Sequence, residues 1–467
     1  MKLKSIFTNG VGILASRILG FVRDMLMASV LGVNIFSDIF AIAFKIPNLF
    51  RRIFGEGAFV QSFMPSFVAS KNKGVFATAI VLRFLLFIIL ASLLVNLFAP
   101  YLTKTIAIGF DDATIALASP LVAINFWYLD LIFLVTFLAT LLQYKEHFAT
   151  TAFSTTLLNI SMISALIIYA KESPQMIVYG LSISVVVGGV LQLIAHLIAI
   201  KRFGLDKLLI GGWRYRAKKD IKDDTKKFNS QFFPAIIGSS TAQISAFLDT
   251  MMASFLITGS ISYLYYANRV FQLPLALFAI ATATALFPTI SKAIKNSDET
   301  KAYQNLSKAF WILSFTLGFS LIGGVVFSEA IIWLLFERGE FSSIDTIESA
   351  KVLMAYMVGL LPFGLAKLFS LFLYASHKQG RAAIISSISL VINLIFSLIL
   401  MRYIGAMGLA LASSIGGWIL FILTIREVAF DKFKVIIYSK YSIYFILSMS
   451  GFIVISIWIN SIIKGFI

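Results

Sequence analysis

Apolar residues run through this chain in long blocks of about twenty, each closed by a short polar or glycine-bearing interruption. About 20 apolar residues in a helix cross the ~30 Å hydrocarbon core of a bilayer. The pattern predicts thirteen spanning helices, near 7–31, 34–56, 76–101, 116–142, 149–170, 176–200, 229–257, 262–290, 305–336, 346–375, 381–402, 407–428 and 441–463. Residues 57–70 extend or follow the second. Segments that alternate over ~10 residues, as in an outer-membrane barrel, do not occur. The expected fold class is an all-α polytopic membrane protein.

Composition agrees. Of 467 residues, 59% are hydrophobic and 13% charged, against about 25% charged in a soluble domain. With no cysteine and three histidines far apart (His147, His196, His377), disulfides and thiolate metal sites are excluded and a histidine metal site is not expected. The first residues lack a short apolar core ending in a small-residue cleavage site, so they read as a spanning helix rather than a signal peptide.

The net charge of +17 would suggest nucleic acid in a soluble protein. Here its placement follows the positive-inside rule. With a cytoplasmic N-terminus, 25 Lys/Arg fall in inside loops and 6 in outside loops. The expected arrangement is a multi-pass protein of the cytoplasmic (inner) membrane with its C-terminus periplasmic.

The longest inside connection, 201–227, divides the chain. The expected domains are an N-lobe at 1–200, an inter-lobe loop at 201–228, a C-lobe at 229–428 and an extra C-terminal helix at 429–467. A weak internal repeat fits this division. Phe44-Lys45-Ile46-Pro47 followed by Phe63-Met64-Pro65 resembles Phe271-Gln272-Leu273-Pro274 followed by Phe287-Pro288. ATTAFSTTLLN (149–159) resembles RAAIISSISLVIN (381–393). Both pairs lie six spans apart, which predicts two parallel six-helix lobes with a substrate site between them.

The most informative stretch is 16–57. It is apolar enough for a bilayer yet carries Arg17, Arg23, Asp24, Asp38, Lys45, Arg51, Arg52 and Glu56. An ionisable group near the bilayer centre costs about 2.5–3.5 kcal/mol on insertion scales, so such groups face protein or a water-filled cavity. Five cations against three acids point to a cationic wall and an anionic ligand. Asp38, Lys45, Arg52 and Glu56 fall on one helical stripe, and Arg17 and Asp24 on another. Salt bridges that only join helices remain the alternative, most of all for Asp38 and Glu56. Guanidinium stays charged and matches phosphate oxygens bidentately. Arg269, within YLYYANRVFQLP, is the matching cation of the second lobe. Lys367 and Asp249 are further charges within spans, and Arg83 reads as snorkelling.

Asp220, Asp223 and Asp224 sit among lysines and read as a charged linker rather than a Mg²⁺ site. No G-x-x-x-x-G-K-[ST] run is present, so no ATP site is expected. No catalytic set can be nominated, and no cofactor or metal is expected. Coupling to the membrane potential or to an ion stays open.

The string SRILGFVRD (16–24), Asp38 and FKIPNLFRRIFGEGAF (44–59), with SISYLYYANRVFQLP (260–274) and LFERGEF (335–341), resembles the MurJ (MviN) lipid II flippases of the multidrug/oligosaccharidyl-lipid/polysaccharide exporter superfamily. The resemblance implies two six-helix lobes and a groove of extra C-terminal helices. Its implied function is alternating-access transport of undecaprenyl-diphosphate-linked disaccharide-pentapeptide to the periplasmic leaflet. It implies cavity arginines at Arg17, Arg23, Arg51 and Arg269, a first-helix acid at Asp24 and a second-helix acid pair at Asp38 and Glu56. The charge pattern of 16–57 itself adds Arg52 to the expected substrate-binding residues and Lys45 to those that set cavity charge. Asn268, Gln272 and Gln379 stand where the family usually has acids, and the last groove helix is not found. Lipid II and membrane lipids are the expected partners, cell-wall synthesis machinery is a further candidate, and nucleic acid is not expected. A flippase for another polyprenyl-diphosphate oligosaccharide is the alternative, a drug exporter a more distant one.

Overall fold

The computed structural model describes residues 3–51, 58–296, 298–376, 378–463 and 465. Among them the regular structure is helical. The chain divides into two units, Met1–Met251 and Met252–Ile467.

Unit 1 holds α1 (Leu3–Leu31), α2 (Ile35–Phe50), α3 (Phe59–Ala69), α4 (Lys73–Leu97), α5 (Ala99–Ile106), α6 (Asp112–Tyr144), α7 (Ala149–Ile168), α8 (Pro174–Arg202), α9 (Leu205–Tyr215) and most of α10 (Lys222–Ala253). Its centre is α6 against α8, with α7 beside α8 and α1 against α7. Small residues let these helices approach, and polar side chains join them. Gly188 lies against Leu158 and Gly189 against Tyr128. The Tyr128 hydroxyl donates to Gln192 Oε1 at 3.2 Å, and Gln192 Nε2 donates to the Ser154 carbonyl at 3.1 Å. Asn125 Nδ2 donates to Ser182 Oγ at 2.8 Å.

The start of α10 is held by aromatic rings. Phe228 is fully buried, 6.1 Å from Phe59 and 5.9 Å from Phe84 between ring centroids. Phe232 lies 5.1 Å from Phe84. Edge-on ring pairs at such spacing add about 0.5–1.5 kcal/mol each beyond area burial. The stretch read from sequence as a charged connection therefore contains an amphipathic helix, α9, and leads into a helix anchored on α3 and α4. The crossing of α9 over α4 is close: a Cβ on Gly212 would collide with the Gly74 carbonyl oxygen.

Unit 2 holds α11 (Ser260–Pro274), a π-helical turn (Leu275–Ile280), α12 (Ala281–Lys295), α13 (Glu299–Val326), α14 (Ser328–Phe336), α15 (Ser343–Val358), α16 (Leu360–Ala375), α17 (Gln379–Ile437) and α18 (Lys440–Ile463). The 59 residues of α17 would reach about 90 Å if straight. They fold back instead. Ser389 Oγ donates to the Gly416 carbonyl at 2.8 Å, and Gly405 takes φ +56° at the reversal. The spans expected at 381–402 and 407–428 are thus two arms of one tight helical hairpin. The single helix expected at 262–290 is broken by the π turn.

Among the described residues, nine helical segments are long and apolar enough to cross a membrane. The charged α1, the short α2 and the polar α10 occupy three further expected positions without meeting that measure.

Neighbouring glycines supply a test of the α9–α4 crossing. Gly211 has open space at its Cβ position, whereas Gly212 has none. Gly212→Val should cost about 1–3 kcal/mol by overpacking. Gly211→Val should stay near wild type in thermal unfolding of the detergent-purified protein. Equal effects would show that the two helices do not meet at Gly212.

Candidate functional site

The charged residues of α1 and α2 separate by depth. Arg23 is 5% exposed and Asp24 fully buried. Arg23 Nη2 donates to Asp24 Oδ1 at 2.6 Å and Nε donates to the same oxygen at 3.0 Å. Arg23 Nη1 donates to Asn159 Oδ1 at 3.1 Å on α7, and Asn159 Nδ2 donates to the Ser16 carbonyl at 3.0 Å. A buried guanidinium is tolerated only with its donors engaged. The network provides this and also bolts α1 to α7.

Arg17 is exposed on α1. It shares its helical phase with Asp24, as the seven-residue spacing suggested, but not its burial: Asp24 is enclosed while Arg17 stays exposed. Asp38 is 2% exposed in the first turn of α2. There the helix dipole favours a carboxylate, and Asn34 with Ser37 closes a capping box. Lys45 is half-buried. Of the expected stripe, Arg52 and Glu56 lie outside the described residues.

Arg51 is half-buried at the end of α2. It borders a cavity of about 120 Å³ whose other walls include Phe50, Phe84, Phe126, Phe133 and Thr136. A cation at the rim of so apolar a space faces little competing water, which strengthens its pull on an anion.

In unit 2, Arg269 is half-buried on α11, one turn before Pro274 and the π turn. Its helix is fixed by Tyr266, fully buried against Phe336 and Phe341, and by the Tyr263 hydroxyl donating to Asp345 Oδ1 at 3.1 Å. Gln272 Nε2 donates to Asn268 Oδ1 one turn away.

The family model for the lipid II flippase MurJ matches residues 27–467. The chain belongs to the MurJ family. A Helicobacter pylori protein named as a probable lipid II flippase MurJ is 51% identical over 423 residues, covering 88% of this chain and 92% of that protein. A solved structure of lipid II flippase MurJ in an inward closed conformation superposes with TM-score 0.78 at 26% identity, covering 98% of both chains. An inward-facing multidrug MATE transporter of the MOP superfamily superposes with TM-score 0.67 at 14% identity over 94% of this chain and 97% of that one. That likeness speaks to the fold alone.

Within this MurJ-family chain, three buried polar residues in separate hydrogen-bonded groups went unassigned in the sequence. Asn159 closes the repeated motif at 149–159, and its counterpart Asn393 is likewise buried and accepts from Ser397 Oγ at 3.3 Å. The repeated asparagine was the signal. Asp130 is 8% exposed and accepts from Ser92 Oγ at 2.6 Å between α4 and α6. Asp345, just before the span expected at 346–375, is buried and accepts from Ser342 and Tyr263. Asp220 and Asp224 accept from the Lys222 backbone N–H and from Ser70 Oγ, which fixes the start of α10 as a structural device.

Removing one partner of the buried pair should be costly. Asp24→Asn should destabilise the protein by about 3–5 kcal/mol and Asn159→Ala by about 1.5–3 kcal/mol, read from thermal unfolding in detergent. Arg23→Leu combined with Asp24→Leu should lose less than Asp24→Asn alone, since no lone charge is left. Additive losses in the double variant would rule out the pairing.

Proposed function

We propose that this protein is a lipid II flippase. It moves undecaprenyl-diphosphate-linked disaccharide-pentapeptide from the cytoplasmic to the periplasmic leaflet of the inner membrane by alternating access, as a transporter rather than an enzyme. The observation that carries this reading is the 51% identity to a probable lipid II flippase MurJ across nearly all of both chains. The surplus of cations in α1 and α2 supports it chemically.

A diphosphate presents several oxygens, and each guanidinium can engage two of them in parallel. Arg51 and Arg269, half-buried beside helix-breaking segments, are the proposed phosphate ligands. Arg17, exposed on α1, and Arg52 add positive potential. Arg23, Asp24 and Asn159 hold α1 in register, so Arg23 acts here as a positioning residue. Asp38, Lys45 and Glu56 set the local charge balance. No cofactor is required. An inside-negative potential assists outward movement of negative charge by about 2.3 kcal/mol per charge per 100 mV. The prenyl tail stays in lipid while the polar headgroup crosses.

Purified protein should bind lipid II in preference to a polyprenyl-diphosphate bearing an unrelated glycan. Arg51→Ala and Arg269→Ala should each weaken binding about tenfold or more, as expected for a lost charge-assisted hydrogen bond, with unchanged thermal unfolding. Arg23→Ala should lower stability and binding together. Equal binding of both lipids would point to the other-oligosaccharide alternative. Normal lipid II transport with Arg51 and Arg269 both replaced would refute the phosphate-ligand assignment.

A further inference from the structure

We infer that unit 1 carries a second anion site, separate from the charged residues of α1 and α2, that holds the phosphodiester headgroup of an anionic phospholipid. It lies between the middle of α4, at Arg83, and the first turns of α10. A cavity of about 330 Å³ there is lined by Arg83 from α4, by Ile221, and by Lys222, Thr225, Lys226 and Asn229 from α10. The α10 residues recur at spacings of three, four and seven, so they form one helical stripe. Their partner across the cavity is held in place by its neighbour in sequence: Phe84 locks against Phe228 and Phe232.

Three cations alone would be an ordinary consequence of the positive-inside bias. Thr225 is not explained by it. This residue is 8% exposed, and its Oγ1 is buried without a hydrogen-bond partner. A buried hydroxyl without a partner carries a desolvation penalty. A phosphate oxygen in the cavity would remove that penalty. The nearby acids do not fill the role. Asp224 Oδ2 accepts from Ser70 Oγ at 2.6 Å, Asp220 Oδ1 accepts from the Lys222 backbone N–H, and among the described residues no carboxylate lines the cavity.

The surroundings decide between a lipid and a free phosphate. Continuing along the Arg83 face of α4, Leu86, Phe87, Leu90, Leu94 and Leu97 are all exposed. On α10 the polar stripe ends at Phe233, which is 62% exposed. A cationic head followed on both helices by bare apolar surface matches a diacyl phospholipid, whose chains would lie along α4. A free phosphate has no use for that surface.

The test uses the full chain purified in detergent, with bound molecules counted by native mass spectrometry. Phosphatidylglycerol, phosphatidylcholine and inorganic phosphate are the probes. Phosphatidylglycerol should be retained over phosphatidylcholine, with about fivefold preference contributed per cation. Arg83→Gln with Lys222→Gln and Lys226→Gln should abolish the preference. The same change at Lys207, Lys218 and Lys219, which lie outside the cavity, should leave it intact. Thr225→Val should weaken retention about tenfold, the equivalent of one hydrogen bond to a charged oxygen, and Thr225→Ser should restore it. The proposal fails if the wild type shows no preference, if both triple variants lose it equally, or if Thr225→Val binds as the wild type does. Displacement of the lipid by equimolar inorganic phosphate would overturn the lipid assignment.

Discussion

A guanidinium among apolar helices must have its donors engaged, and much of unit 1 is arranged around that requirement. Neighbouring residues on a helix point about 100° apart, so Arg23 and Asp24 meet only because the long arginine side chain curls back over one carboxylate oxygen. Asn159 takes the remaining direction and fixes the rotation of α1 about its own axis against α7. The pair is electrically neutral as a unit. The positive surplus of the 16–57 stretch is therefore not carried by Arg23. Among the described residues it falls to Arg17, Lys45 and Arg51, which are more accessible.

Most of the helical order was legible in the sequence, since length and apolar content alone decide what can cross a bilayer. What could not be read there depends on depth and on contact. Arg17 and Asp24 have the same helical phase but differ in burial, which helical spacing alone does not report. The α9 helix was hidden in a segment whose charges look like a linker, and its apolar face becomes apparent only against α4. Asn159 was visible as the end of a repeated motif, but nothing in a single sequence says that it faces Arg23.

The two units share a device at the repeated Phe-x-x-Pro. In unit 2, Pro274 is followed directly by the π turn; in unit 1, Pro47 is followed by π geometry at Arg51 and again at Ala58. Proline has no backbone N–H, so the carbonyl four residues earlier loses its usual partner. A wider turn is one way to reorganise the hydrogen bonds that follow. The sequence repeat reveals the prolines, whereas the widened turns emerge only from the backbone. Arg51 lies at such a break and Arg269 less than two turns before one.

The reversal at Gly405 bears on how the chain enters the membrane. Its two arms are joined by too few residues for the first to settle across the bilayer while the second waits in water. Bonds such as Ser389 to the Gly416 carbonyl satisfy polar groups that lipid cannot. The pair should leave the translocon as a preformed hairpin, inserting in a single step with the turn at its leading edge.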